Sequence, residues 1–230
     1  MAESCFMLGG QPLEIRWHGR GGQGAKTAAL LFGEAALDTG LYIQAFPEYG
    51  PERMGAPVAA FNRLSDKPIR SHAGMKNPRV VVVLDASLIE PAKVTDGLED
   101  GGILLVNSNV DPAELRKRLN LPPGIKLYVV DASKIAMETV GKNVPNTPML
   151  GALVKATGVL EFEPMMKAIK HKLGEKFRGG KEKFVEPNLV SEAGVRGGPM
   201  LRAPDEVRSQ MLEARSQKCG QRAEEAEWRN

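Results

Sequence analysis

The chain has 230 residues, a formal charge of +3 and 42% hydrophobic residues, a balance that suits one large α/β domain, alone or with an appendage, and argues against disorder. Its charge is spread without a basic run, which speaks against a nucleic-acid partner. The two cysteines, Cys5 and Cys219, stand near opposite ends, so this chain alone cannot supply the four thiolates of an iron–sulfur cluster.

No apolar run approaches the roughly 20 residues of a membrane span. Met1 to Pro12 also lacks the basic stretch followed by an apolar one that marks a secretion signal, so the expected address is the cytoplasm. Leu13 to His18 reads as a first strand, and it runs into Gly19-Arg20-Gly21-Gly22-Gln23-Gly24. Glycines there permit a sharp turn, and the N–H groups they deliver to the start of a helix favour a phosphate or carboxylate. Ala25 to Asp38 is that helix, with Gly40 placed for a left-handed cap.

Leu41 to Phe46 and Val58 to Leu64 follow as strands, and Arg79 to Asp85, with four consecutive valines, reads as a central strand buried on both faces. Beyond a short broken stretch, Ile103 to Asn107 and Lys126 to Asp131 are strands. Asp111 caps a helix ending near Leu119, with Pro112 at its first position, and Ser133 to Val140 is another helix. Gly141 to Pro148 reads as a rigid loop opening a helix from Met149 to about Thr157. Glu163-Pro164 starts an amphipathic helix whose Met165, Met166, Ile169 and Leu173 are core rather than a cofactor box.

This rhythm predicts a three-layer α/β domain with a mostly parallel sheet flanked by helices and a C-terminal helical extension. The expected divisions are an arm over 1–12, the domain over 13–193, and a linker with a charged helical tail over 194–230. Ligands of such sheets lie beyond the carboxyl ends of the strands. The glycine loop, the Pro47 loop, Asp85-Ala86-Ser87 and Asp131-Ala132-Ser133 are all predicted at such ends.

The glycine loop is neither of the familiar nucleotide loops. The second strand ends in Gln44-Ala45-Phe46, without the acid that binds a nicotinamide ribose, and Ala25 stands where a Walker lysine has its glycine. A tight turn that binds nothing is the plain alternative. The segment from Pro47 to Pro57 concentrates Glu48, Tyr49, Glu52, Arg53 and Met54 between three prolines, as a site held rigid on a loop would. A decorated surface loop is its alternative. His18, His72 and His171 have no metal-ligand spacing, and Trp17 has no aromatic neighbour in sequence.

Three stretches in order carry a resemblance: Gly19 to Gly24, Gln44 to Pro57 and Met149-Leu150-Gly151-Ala152-Leu153-Val154-Lys155-Ala156-Thr157-Gly158. Together they strongly resemble the gamma subunit of 2-oxoacid:ferredoxin oxidoreductases, above all pyruvate synthase, from about Leu13 to Ala193. The resemblance implies a complex that decarboxylates a 2-oxoacid on thiamine diphosphate with Mg2+. It passes electrons through [4Fe–4S] clusters to ferredoxin and moves the acyl group to or from coenzyme A.

The thiamine and cluster sites belong to alpha-, beta- and delta-type partner chains, and this chain binds no cofactor alone. It has no catalytic and no metal-ligating residue. Gly19, Arg20, Gly21, Gly22, Gln23, Gly24 and Asn146 are then expected beside the coenzyme A phosphates, and Glu48, Tyr49, Arg53 and Met54 against the thiamine-binding partner. Pyruvate is the expected substrate, although 2-oxoglutarate, branched-chain, aryl-pyruvate and oxalate enzymes share the architecture. Two rival readings stand beside this one. They are a free-standing coenzyme A or nucleotide-binding module and a purely structural interface subunit.

Overall fold

The computed structural model describes residues 11–48, 55–71 and 73–176. The elements run β1 (Leu13–Arg20), α1 (Ala25–Asp38), β2 (Tyr42–Glu48), β3 (Pro57–Ser65), β4 (Val80–Val83), a single 3-10 turn at Ala86–Leu88, β5 (Ile103–Asn107), α2 (Pro112–Arg118), β6 (Lys126–Val130), α3 (Ala132–Val140), α4 (Asn146–Thr157) and α5 (Phe162–Lys176). The sheet order is β2-β3-β1-β4-β5-β6. β1, β4, β5 and β6 are mutually parallel, while β3 runs against both β1 and β2, so β3 alone is reversed.

The alternation of side chains along the strands builds a layer on each face of the sheet. Leu13, Ile15 and Trp17 of β1 join Val80 and Val82 of β4 under α1, α3, α4 and α5. Val81 and Val83 point the other way, into a second cluster with Leu104, Val106 and Leu115 of α2. All four valines are fully buried, as a central parallel strand requires. Met165 and Ile169 of α5 are buried in the first cluster and Met166 packs on it, so these methionines are core.

α1 is pinned to the sheet through polar groups as well. The Trp17 indole N–H donates to Asn62 Oδ1 at 2.7 Å, and Asn62 Nδ2 donates to the Ala29 carbonyl in α1 at 2.8 Å. Asn62 is wholly buried on β3, so each of these bonds replaces water it cannot reach. Trp17, isolated in sequence, meets Phe32 edge-on in space, with ring centroids 6.5 Å apart.

The expected mostly parallel sheet is present, and the strand direction that the sequence left open is now set: β3 is the reversed strand, which makes β2-β3-β1 a mixed unit. One boundary that bears on the site differs from the sequence reading. α4 starts at Asn146, three residues ahead of the expected Met149. Pro148 lies in its first turn, where a missing N–H costs nothing because those donors have no intrahelical partner. The tail from residue 194 lies outside the described residues. Among the described residues no helix is long and apolar enough to cross a membrane.

Candidate functional site

Because β3 alone is reversed, β1, β2, β4, β5 and β6 all end at one edge of the sheet. The glycine loop after β1, the end of β2 at Glu48, and Asp85, Ser108 and Asp131 beyond the other strands therefore gather there. In the glycine loop Gly22 and Gly24 adopt positive φ, at 96° and 84°. Gly24 is the N-cap of α1 and has no side chain with which to cap it. The positive end of the helix dipole thus opens at the loop.

Asn146 comes to this loop from the start of α4, 7% exposed. A Cβ added at Gly24 would lie 2.6 Å from Asn146 Nδ2, so the Asn146 side chain packs against the Gly24 backbone as closely as glycine allows. Thr147 Oγ1 donates to Asn146 Oδ1 at 3.3 Å. The expected residues Gly19 to Gly24 and Asn146 are therefore one constellation. Glu48 sits exposed at the end of β2, whereas Tyr49, Arg53 and Met54 lie outside the described residues.

Asp85, for which the sequence reading had a position but no role, is the hub of the loop. Its Oδ2 accepts from Arg20 Nε at 3.1 Å and from Gln23 Nε2 at 3.0 Å. Its Oδ1 accepts from the Ser87 N–H at 3.0 Å and the Ser87 hydroxyl at 2.6 Å. Partial burial works against its ionisation, but the bonds from Ser87 and Gln23 and the Arg20 charge outweigh that and hold the carboxyl below its ordinary range. The only advance signal was an Asp-x-Ser turn directly after the most apolar strand.

Arg20 is a strut before it is anything else. Its Nη1 donates to the Gly55 carbonyl at 3.1 Å and its Nη2 to Ser87 Oγ at 2.8 Å. With Nε on Asp85, two of the five guanidinium hydrogens keep no partner among the described residues. The backbone is similarly committed. Arg20 N–H donates to Gln23 Oε1, Gly21 N–H to the Ala56 carbonyl and Gln23 N–H to the Arg20 carbonyl, at 2.8, 2.9 and 3.0 Å. Gly22 and Gly24 hold the loop amides without a partner among the described residues. The loop is preorganised, and its free donors are fewer than its glycines suggest.

This chain matches the family of pyruvate ferredoxin/flavodoxin oxidoreductases over residues 14–194. The chain belongs to that family. Pyruvate synthase subunit PorC of Thermotoga maritima is 51% identical over 164 residues, spanning 71% of this chain and 84% of that one. The pyruvate/ketoisovalerate oxidoreductases common subunit gamma of Thermococcus kodakarensis is 48% identical over 184 residues, 78% of this chain and 99% of that one. The crystal structure of pyruvate oxidoreductase subunit PORC from Thermotoga maritima superposes with a TM-score of 0.70 at 41% identity, covering 84% of this chain and 98% of that one. Within the family this is a gamma, or PorC, subunit, a member of a multi-subunit 2-oxoacid oxidoreductase.

On the opposite sheet face of the gamma chain, His18 is 8% exposed. Burial, aided by the Arg16 charge, pushes its imidazole down to about 4 from the ordinary 6.5. The folded protein therefore binds fewer protons here than the unfolded chain. The stability tied to a neutral His18 is intact above pH 6.5 and is lost as pH falls toward about 4. A shift of this size corresponds to roughly 3 kcal/mol once the ring is fully titrated. Urea unfolding of wild type and His18→Gln at several pH values checks it: the wild type is expected to lose stability over that interval more steeply, and parallel curves would refute the assignment.

Proposed function

We propose that this gamma chain works in the reversible oxidative decarboxylation of a 2-oxoacid, pyruvate, with coenzyme A to acyl-CoA and CO2, the electrons passing to ferredoxin. Its own part is to pack on the thiamine diphosphate subunits and to border the approach of coenzyme A. The observation that carries this reading is the convergence of an uncapped helix start, two loop amides that have no partner among the described residues, and Asn146 at one sheet edge, beside the strand that leads into the Pro47 loop.

In this reading the N–H groups of Gly22 and Gly24 and the two unspent hydrogens of Arg20 face a phosphate, which suits both a helix N-terminus and a planar guanidinium. Gly19, Gly21 and Gln23 shape the loop, and Asn146 closes it from α4. Glu48, with Tyr49, Arg53 and Met54, meets the thiamine-binding partner. The other chains are alpha-, beta- and delta-type subunits, and the complex works in the cytoplasm. The domain is 13–193, with 1–12 an arm and 194–230 a tail.

Thiamine diphosphate, Mg2+ and the [4Fe–4S] clusters are held by the partners. Among the described residues no group of three or more His, Cys, Asp or Glu side chains could hold a metal, and Cys5 and Cys219 lie outside those residues. These cofactors supply the decarboxylation and electron transfer, while this chain positions and encloses.

Arg20→Ala, assayed in the intact complex, should raise the KM for coenzyme A roughly tenfold, the size expected for loss of one charged hydrogen bond. An unchanged KM would remove Arg20 from the coenzyme A path. One observation favours a purely structural role instead: three of the five amides from Arg20 to Gly24, and most of the Arg20 fork, are used inside the loop. On that reading, substitutions here weaken assembly and leave KM untouched.

A further inference from the structure

β1 and β4 lie side by side and parallel, with His18 opposite Val83 at the last paired position. The chain leaves these two strands toward opposite faces of the sheet. α1 follows β1 into the first cluster, while Ala86, Ile89 and Val94 follow β4 into the second. Adjacent parallel strands whose connections part in this way leave a crevice beyond their carboxyl ends, the usual place for a ligand in an open α/β sheet. Arg20 and Asp85 stand two residues past His18 and Val83, and their ion pair spans that crevice.

The Asp85 carboxylate has no capacity left for chemistry of its own. A carboxylate offers about four acceptor positions. Donors fill them here: Arg20 Nε and Gln23 Nε2 on Oδ2, the Ser87 N–H and hydroxyl on Oδ1. A general base needs a free acceptor position within reach of the proton it takes, and Asp85 keeps none. The Ser87 hydroxyl, having donated to Oδ1, accepts in turn from Arg20 Nη2. Asp85 therefore grips the guanidinium twice, directly through Nε and again through Ser87.

The loop backbone does not depend on this grip. Gly21 N–H donates to the Ala56 carbonyl, Gly55 N–H to the Gly21 carbonyl and Gln23 N–H to the Arg20 carbonyl. What Asp85 adds is the placement of one long side chain, 34% exposed at the crevice. Fixing such a side chain before binding lowers the ordering cost that a ligand otherwise meets.

We propose that Asp85, with Ser87, is a positioning residue for coenzyme A: it holds the Arg20 guanidinium across the crevice, so that the two hydrogens without a partner among the described residues are already placed when a phosphate arrives. The inference rests on the coenzyme A reading above and adds to it a residue that touches no ligand. A bare carboxylate beside an anion site would repel the anion. Bound to a guanidinium and three further donors, this one has its charge offset.

The test is a double-substitution cycle in the intact complex, reading the KM for coenzyme A, the KM for pyruvate and kcat. Asp85→Asn keeps the size of the side chain but turns an amide NH2 toward one of the two donor pairs, which releases the guanidinium. It should raise the KM for coenzyme A about three- to tenfold and leave kcat and the KM for pyruvate within about twofold. Arg20→Ala combined with Asp85→Asn should be no worse than Arg20→Ala alone, because Asp85 acts only through that side chain.

Two results overturn the inference and leave the coenzyme A reading intact. In one, Arg20→Ala raises the KM while Asp85→Asn does not; in the other, the two effects multiply in the double variant. A fall in kcat with a rise in both KM values marks a merely structural role and overturns it too. An unchanged KM in Arg20→Ala removes the coenzyme A reading itself, and this inference with it. Where Asp85→Asn does not assemble, Ser87→Ala takes its place. It is expected to raise the KM for coenzyme A about threefold on its own and not at all beside Arg20→Ala, and no rise on its own decides against the inference.

Discussion

Trp17→Ala should cost about 3–5 kcal/mol of unfolding free energy, the range for emptying a large aromatic site in a core. The indole is fully buried at the centre of the first cluster, edge-on to Phe32. Its loss also strands Asn62 Oδ1, which is buried and accepts the indole N–H. That orphaned acceptor places the variant at the upper end of the range. Trp17→Phe keeps most of the volume and loses the hydrogen bond, so it should cost less than half as much. Denaturant unfolding of both variants measures this. A loss below about 1 kcal/mol for Trp17→Ala would mean that the site collapses without a cavity and that Trp17 does not anchor α1.

Gly24→Ala should be the most damaging single-atom change in the glycine loop. The residue has φ 84° and ψ 22°, a left-handed conformation costing a side chain about 1–2 kcal/mol, and its new Cβ would lie 2.6 Å from Asn146 Nδ2 and 2.8 Å from Asn146 Cγ. Asn146 is buried at the start of α4, so it cannot swing into solvent without moving that helix end. Gly40→Ala provides the comparison. Its φ is 86°, but no atom stands within 4 Å of the added Cβ, so it bears only the conformational cost. Gly24→Ala is therefore expected to lose clearly more stability than Gly40→Ala, roughly 3 against 1–2 kcal/mol. In the complex it should also raise the KM for coenzyme A, which Gly40→Ala should not. Equal losses from the two variants would show that the contact between loop and α4 carries no energy.

Much of this fold was legible because local signals and tertiary demands agreed. The glycine loop and the alanine- and leucine-rich run after it place α1 at Ala25–Asp38, and Asp111-Pro112 places the start of α2. The four valines of β4 read as a central strand because both faces need apolar groups. Strand direction left no such trace. Alternation along Val58 to Leu64 is the same whichever way the strand runs, so the reversal of β3 appears only in its pairing with β1 and β2.

The site was legible in part, and the unread part is long-range. Gly24 and Asn146 are named by the same resemblance, but their contact spans more than a hundred residues. Arg20 and Asp85 are 65 positions apart, and no local pattern tells that the guanidinium is spent on a carboxylate rather than left for a ligand.

The most direct test of the account is anaerobic affinity purification of the full chain from its source cells. Mass spectrometry of the eluate and a dye-reduction assay dependent on pyruvate and coenzyme A follow. The account predicts that thiamine- and cluster-binding chains elute with it and that the eluate is active. A chain that elutes alone and inactive, yet still binds coenzyme A or a nucleotide, would contradict it and establish a free-standing binding module.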